Sequence, residues 1–418
     1  MMVVRWLPWI AAVCCMVFSG CTIGPRALEN SRPRYNEAIK KTTEEQLLLN
    51  IVRLRYTDTP SSLAVTSIAA QHELVKNLKL VPFFSASQNS MPGPFSALLP
   101  QAELNAADRP TYSLTPQDDQ DFTKRLFTPI PLEGILYLSK TTWPTATVFR
   151  LWLENLNWVS NAETASGPTP RMPPDYADFL TGMDAFQRLQ DRKVVAFVSE
   201  ERDEKAGEGL PTAQMSGSSL VEAAKAGFEF RKHDKKDAWT LFKKKHVAQL
   251  RIRPDALKDP DLLTFCGIFR LKPGETSYEL TSDKEDPFLT GAPKGGLVKL
   301  DLEPRSLLQV LFYLSHAVQV PPEHARSGLA PLTLEPDGRV FAWDQVLRGL
   351  FKVCSARGHR PPAHAYVAVR YHDHWYYIDQ RDRDSKATFS LVLAMTRIEL
   401  SGKMGASTPV LTLPLGGR

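Results

Sequence analysis

The first twenty-one residues decide how much of this chain takes part in folding. A single charge, Arg5, precedes an apolar run from Trp6 to Phe18, and the run ends at Ser19-Gly20-Cys21. A short basic start, an apolar centre and small residues before a cut are the parts of an export signal. At about 13 residues the run falls short of the roughly 20 that a membrane-spanning helix needs. The expectation is that residues 1–20 are removed together with Cys14 and Cys15, so that the body begins at Cys21.

Phe18-Ser19-Gly20-Cys21 resembles the lipobox of bacterial lipoproteins, in which a cysteine after two small residues is acylated on sulfur before the peptide is cut. That family has Leu where Phe18 stands. The resemblance implies that Cys21 is the lipidation site and that membrane lipid is the first partner, with two or three acyl chains on one residue giving stable anchoring. Thr22 stands where an Asp would imply retention in the inner membrane of Gram-negative bacteria. The resemblance therefore places the protein on the periplasmic face of the outer membrane.

Removing residues 1–20 leaves 50 Lys and Arg against 46 Asp and Glu, a formal charge of +4. So even a balance gives no case for nucleic acid, which asks for a clustered basic excess. Besides the anchor only Cys266 and Cys354 remain. In a compartment that permits disulfides they form either one bridge or two free thiols. The remaining chain is long enough to bury a full core without a disulfide framework.

Apolar periodicity organises the rest. Ile39, Leu47, Ile51 and Leu54 recur at turn spacing and predict a helix from Tyr35 to Tyr56, ended by Pro60, after a polar tether that runs to Pro33. Strands joined by loops are expected from Ser61 to Leu99, with a further short strand around Tyr112. Helices are expected at Leu132–Leu138, Thr145–Trp158, Tyr176–Gln190 and Pro304–Val318. Ser160–Asp175, rich in Pro, Gly and small residues, is the expected boundary between an N-terminal α+β region (35–160) and a C-terminal α+β domain (161–418). Lys193–Ser199 reads as a strand, Glu201–Ser219 as a polar loop, and Phe228–Lys232, Trp239–Lys243 and Val247–Arg253 as a β-meander. Leu262–Leu271 reads as a further strand and Lys272–Gly296 as loop. Ala365–Tyr371 and Trp375–Asp379 flank His372-Asp373-His374 as a hairpin, followed by a helix from Ser385 to Arg397 and a last strand at Val410–Leu413. The expected class is α+β with largely antiparallel sheet.

Arg34-Tyr35-Asn36-Glu37-Ala38-Ile39, Gln46 to Tyr56, Thr128-Pro129-Ile130-Pro131, Trp375-Tyr376-Tyr377-Ile378-Asp379, Ser385 to Leu391 and Pro409 to Pro414 come in an order that resembles a family of uncharacterised Gram-negative lipoproteins. The likeness touches both ends of the mature chain. It implies the envelope location and names no activity.

The sharpest chemical pattern lies in the terminal hairpin. His364-Ala365-Tyr366-Val367-Ala368-Val369, Trp375 and Asp379 resemble the His and Asp strands of transglutaminase-like cysteine hydrolases. There a His takes the proton of a thiol and an Asp orients the ring. The resemblance makes Cys354, His364 and Asp379 the candidate catalytic set. In that family the cysteine opens a helix, whereas Cys354 ends Gly349–Cys354, which reads as a strand. The alternative is a packed hairpin whose His and Asp serve the turn. Neutral imidazoles at His364, His372 and His374 could ligate a metal, whereas exposed histidines at a turn are far commoner. Asp379, Asp382 and Asp384 alternate with arginines, which suits helix capping better than calcium. Lys243-Lys244-Lys245-His246 suits either an anionic surface or a solvated strand end. With no Gly-rich phosphate loop and no Gly-x-Ser-x-Gly elbow, the sequence implies no cofactor and no metal. The functional expectation is a membrane-anchored envelope lipoprotein that is a non-enzymatic scaffold, assembly or accessory binding protein with an envelope protein partner. A cysteine hydrolase acting on envelope peptides is the alternative.

Overall fold

The computed structural model describes residues 23–61, 63–69, 72–83, 97–108, 111–116, 120–141, 143–211, 217–232, 238–282 and 296–401. The fold is α+β. Cys21 and the last expected strand, Val410–Leu413, lie outside the described residues, as does the stretch 84–96. The chain divides into two compact units. The smaller comprises residues 1–46 and 61–119, and the larger residues 47–60 and 120–418. The 160–175 stretch is therefore not a boundary but a connection inside the larger unit.

Helix α1 (Ile23–Arg55) contains Pro33 and begins well before the expected Tyr35. Pro25 sits in its first turn, where a missing N–H costs nothing, so the residues read as a tether continue the helix instead. In the smaller unit β1 (Leu63–Ala69) pairs antiparallel with β4 (Thr111–Pro116). There also β2 (His72–Phe83) pairs antiparallel with β3 (Ala97–Asp108) in unbroken register.

The larger unit holds the core, and the last turns of α1 supply Leu47, Leu48, Ile51, Val52 and Leu54 to it. Full burial of each such aliphatic side chain stabilises by about 1.5–3 kcal/mol. Next come α2 (Gln120–Phe127), α3 (Leu132–Ser139), α4 (Thr145–Trp152), β5 (Leu153–Leu156), β6 (Val159–Ser160) and α5 (Ala177–Asp191). The expected helix Thr145–Trp158 thus stops at Trp152. Leu153–Leu156 is fully buried strand, and Asn157 and Trp158 turn it back with φ values of 48° and 61°. A buried apolar run carries no helical period to separate the two states.

After α5 the long strand β7 (Val195–Pro211) leads to α6 (Gly217–Lys225), β8 (Phe228–Lys232) and β9 (Ala238–Ile252). The loop expected from Glu201 is therefore mostly strand. Its charges are matched across the ladder, with Lys244 3.5 Å and His246 3.7 Å from Glu201, and Lys245 3.8 Å from Glu204. The two expected strands 239–243 and 247–253 are one, β9. The Lys243–His246 run thus faces acids of its own sheet. Then follow α7 (Pro260–Ile268), β10 (Ser277–Thr281), β11 (Lys299–Pro304) and α8 (Leu307–Ser315). Leu262–Leu271 was expected as strand. It is helical because the Asp259 side chain accepts from the Asp261 N–H and Pro260 fills the first helical position, a start signal that overrides the apolar run.

These strands make a seven-stranded sheet ordered β6-β5-β11-β10-β9-β7, with β8 also paired to β9. It is antiparallel except for the β10–β11 pair. Helices α5 and α7 pack together through Phe186 and Phe265, whose ring centroids are 5.1 Å apart. The chain closes with α9 (Pro322–Arg326), α10 (Asp344–Leu347), β12 (Cys354–Arg357), β13 (Ala365–Tyr371), β14 (His374–Asp379) and α11 (Arg383–Ser401). The last three strands form an antiparallel sheet ordered β12-β14-β13. His372 and Asp373 close its hairpin with φ of 42° and 63°, the twin left-handed positions of a two-residue hairpin turn. Asp382 caps α11, its carboxylate accepting from the Ser385 N–H at 3.0 Å and the Ser385 hydroxyl at 2.7 Å. Of the three acids expected to serve helix capping, Asp382 is the one that does so at the start of α11.

Candidate functional site

Successive residues of a strand point to opposite faces, and β14 sorts its side chains accordingly. His374, Tyr376 and Ile378 are buried, while Trp375, Tyr377 and Asp379 are half-buried. Each face of the small sheet carries its own cluster of polar groups.

The half-buried face brings together the three residues that the hydrolase resemblance named. Cys354 on β12 pairs in register with Tyr377, and Ala365 with Asp379. The His364 Nε2 lies 3.3 Å from the Tyr377 hydroxyl and 3.6 Å from the Asp379 carboxylate. Across the ladder the Tyr377 side chain neighbours the Cys354 thiol and favours its thiolate form. The tyrosine thus stands between cysteine and imidazole, and both partners of His364 meet the same ring nitrogen. A relay of the Cys–His–Asp kind needs thiol and carboxylate at opposite nitrogens. Burial pushes the Cys354 thiol above its usual value, with Asp379 and Asp382 adding to the effect and Lys352 opposing it. A thiol held protonated on a strand has none of the activation that a helix N-terminus supplies. Asp379 is occupied elsewhere: its carboxylate accepts from the Arg381 N–H at 2.8 Å, which holds it below the usual range. Cys266 is distant from this face in sequence and lies buried in α7. Its sulfur is 3.5 Å from the Tyr278 hydroxyl, and burial raises its thiol as well. Both cysteines are free thiols.

The trio His364, His372 and His374 is split. The register puts Tyr371 opposite His374 at one end of the hairpin and Ala365 opposite Asp379 at the other, some 15–20 Å of strand apart. Among the described residues no group of three or more His, Cys, Asp or Glu side chains is arranged to hold a metal ion.

The buried face holds a cluster that sequence reasoning missed. Tyr56, just past the end of α1, places its hydroxyl 2.7 Å from the His324 Nδ1 and 2.5 Å from the Tyr376 hydroxyl. His324 comes from the short helix α9, and its ring meets that of His374 edge-on with centroids 4.7 Å apart. His374 lies between two acceptors, the Glu323 carboxylate at 3.0 Å from Nε2 and the His372 carbonyl at 3.2 Å from Nδ1. Tyr371 donates to the Asp58 carboxylate, and its ring packs edge-on against that of Tyr56 at 5.3 Å. Beside them Arg55 is buried and donates to the Thr169 hydroxyl and the Pro331 carbonyl, each at 2.8 Å. Burial pulls its guanidinium down to about 10, with Tyr56 and Tyr376 opposing.

Burial also sets the protonation pattern. It raises the phenols of Tyr56, Tyr371 and Tyr376, so all three donate protons rather than carry charge. It lowers His324, and the neighbouring His374 adds to that effect. The Tyr376 hydroxyl, the Tyr56 hydroxyl and His324 Nδ1 form one continuous hydrogen-bonded chain, whose direction follows the tautomer of His324. The only sequence signals for this cluster were two histidines at a hairpin turn and a tyrosine at a helix end. Nothing local joins Tyr56 to Tyr376, 320 residues away.

Comparison with protein-family models, with curated proteins and with solved structures finds no match for this chain.

Proposed function

We propose that this chain is a lipid-anchored protein of the bacterial envelope, tied through an acylated Cys21 to the periplasmic face of the outer membrane. Its body serves as a non-enzymatic scaffold, assembly or accessory binding protein for an envelope protein partner. The observation that carries the anchor is the order Arg5, apolar Trp6–Phe18, Ser19-Gly20-Cys21. Among the described residues no helix is long and apolar enough to cross a membrane.

Two observations support binding rather than catalysis. The Cys354 thiol sits beside a tyrosine where a hydrolase needs an imidazole, and the Tyr56 cluster contains no cysteine or serine nucleophile among its hydrogen-bonded members. The surface meanwhile presents apolar groups: Met172, Leu334 and Val340 are 65%, 43% and 59% exposed. Leu334 bridges to Val340 and its N–H donates to the Arg171 carbonyl at 3.0 Å, which brings the backbones of 171, 334 and 340 together. Exposed apolar residues on neighbouring segments are where we place the partner surface.

The deciding experiment for the anchor is Cys21→Ser in cells fed labelled palmitate. The expected result is an unprocessed, unlabelled precursor. Processing and labelling equal to the parent chain would overturn the reading. For the partner surface, Val340→Asp with Met172→Lys is expected to abolish a cross-link to an envelope protein that the parent chain forms.

A second reading, a cysteine hydrolase of envelope peptides, draws on Cys354, His364 and Asp379 sharing one face. It requires a covalent acyl adduct on Cys354, seen as a mass shift that Cys354→Ser removes.

A further inference from the structure

We infer that the His324–His374 pair is an acid-released latch: when His324 takes up a proton, Tyr56 loses its acceptor and the turn at residues 56–58 lets go of the C-terminal hairpin. This stands apart from the lipid anchor and from any partner.

The geometry carries the argument. The latched state has the His324 proton on Nε2, so that Tyr376 gives to Tyr56 and Tyr56 to His324 across contacts of 2.5 and 2.7 Å, while Tyr371 gives to Asp58. Protonation puts an N–H on His324 Nδ1, so Tyr56 must now accept there and turn its own proton toward Tyr376. Tyr376 is fully buried, and its O–H is then left facing a donor, at a cost of about 1–3 kcal/mol for an unmade buried hydrogen bond. The new cation also sits edge-on to the His374 ring, at 4.7 Å between ring centroids, a neighbour that opposes charge on His324.

The groups that face His324 come from every neighbouring element. They are Tyr56 from the turn after α1, His372 from the hairpin turn, His374 from β14, Arg357 from β12 and Glu323 from its own helix. Of the charged ones only the Glu323 carboxylate favours the proton, and it is already engaged with His374 at 3.0 Å.

The sign follows from linkage. Burial first, and His374 second, hold His324 below its ordinary value, while an unfolded or opened chain takes up the proton near pH 6.5. Stability attached to the neutral ring is complete above that pH. It is lost as pH falls from about 6.5 toward the lower folded value, by up to a factor of about ten in the closed-to-open ratio per pH unit. Glu323 is held below its ordinary value mainly by a backbone hydrogen bond, so its own contribution fades only at lower pH. His316 is also held down, to about 3 and chiefly by burial, and it adds acid sensitivity elsewhere in the core. The test must therefore be local.

Hydrogen exchange read by mass spectrometry on the full mature protein at pH 7.5 and 5.5, corrected for intrinsic exchange, supplies it. Peptides covering 52–58 and 371–379 are expected to lose several-fold to about ten-fold more protection at pH 5.5 than the β5–β11 core does. His324→Asn retains an acceptor near the Nδ1 position but cannot titrate, and it should abolish that change. Equal protection at both pH values in the parent chain, or an undiminished change in the variant, would overturn the latch. Should the asparagine variant not fold, deuterium exchange at the imidazole C2 position of the parent chain reads His324 directly. A midpoint below about 6.5 supports the proposal, and a midpoint at or above it sinks the proposal.

Discussion

The guanidinium carbon of Arg305 lies 4.0 Å from the centroid of the Tyr313 ring, with both side chains wholly buried. Around them the guanidinium donates to the Ser166 hydroxyl at 2.9 Å, the Asn161 carbonyl at 2.5 Å and the Arg150 carbonyl at 3.1 Å. It thereby ties α4, β6 and the turn at 163–166 to the start of α8. Burial brings this cation down to about 10, so it stays charged at neutral pH, satisfied by carbonyl dipoles rather than by a direct carboxylate contact.

Arg305→Met fills similar volume but takes the donor from the Ser166 hydroxyl and the Asn161 carbonyl, while the Arg150 carbonyl keeps Asn161 Nδ2 at 2.8 Å. At about 1–3 kcal/mol for each of the two acceptors left unmet, the expected loss is roughly 2–6 kcal/mol, read as a lowered urea midpoint. Arg305→Lys is expected to recover less than half of it, because one ammonium cannot serve the spread of acceptors that the planar fork reaches. A midpoint unchanged in Arg305→Met would show that the network contributes little.

Gly182 on α5 faces the ring of Phe269, and a Cβ added there would come within 2.7 Å of Cζ. Alanine is favoured over glycine inside a helix by about 1 kcal/mol. Here the ring must move within a packed core, which costs typically 1–3 kcal/mol. Gly182→Ala is thus expected to destabilise on balance, and Gly182→Ala with Phe269→Leu to recover stability. Thermal unfolding of the two variants reads the sign.

Ser306 and Gln309 make a reciprocal cap at the start of α8: the Ser306 N–H donates to Gln309 Oε1 at 2.6 Å and the Gln309 N–H to Ser306 Oγ at 3.3 Å. Ser306→Ala is expected to cost about 1 kcal/mol. Asp382→Ala at the start of α11 should cost a similar amount and loosen β14. Chemical denaturation of each single variant measures both losses.

Because burial raises the Cys354 thiol, its alkylation by iodoacetamide at pH 7.5 is expected to be at least about ten-fold slower than that of a free cysteine. The rate should rise steeply above pH 9. Tyr377→Phe removes the hydroxyl beside the sulfur and should slow alkylation further, since that hydroxyl favours the thiolate. Fast labelling at neutral pH in the parent chain would contradict this assignment and favour the hydrolase reading.

The parts of the fold legible in the sequence are those written in a local code. The 365–379 hairpin announced itself by alternation on both sides of a His-Asp turn, and α5 and α8 by apolar spacing. Three misreadings share one cause. The runs 145–158, 201–219 and 262–271 take their state from something the period does not register. In the first it is a pair of left-handed residues, in the second a row of opposite charges on a strand forty residues on, and in the third an Asp-Pro start. The candidate site was half visible. The Cys354, His364 and Asp379 face could be picked out because its residues lie within 25 positions of one another. The Tyr56, His324 and Tyr376 face could not, since each of its members looks ordinary among its own neighbours.

The hydroxyl pair of Tyr56 and Tyr376 also fixes a timetable. A ribosome adds roughly 5–20 residues per second, so the 320 positions between them take between about 15 and 60 s to make. Throughout that interval the stripe of Leu47, Leu48, Ile51 and Val52 has none of the late strands to cover it. Long-range pairing of this kind slows folding and leaves sticky intermediates open to aggregation. The contact between the two ends of the chain is therefore among the last that synthesis makes possible, and the order in which those ends are completed is itself a constraint on folding.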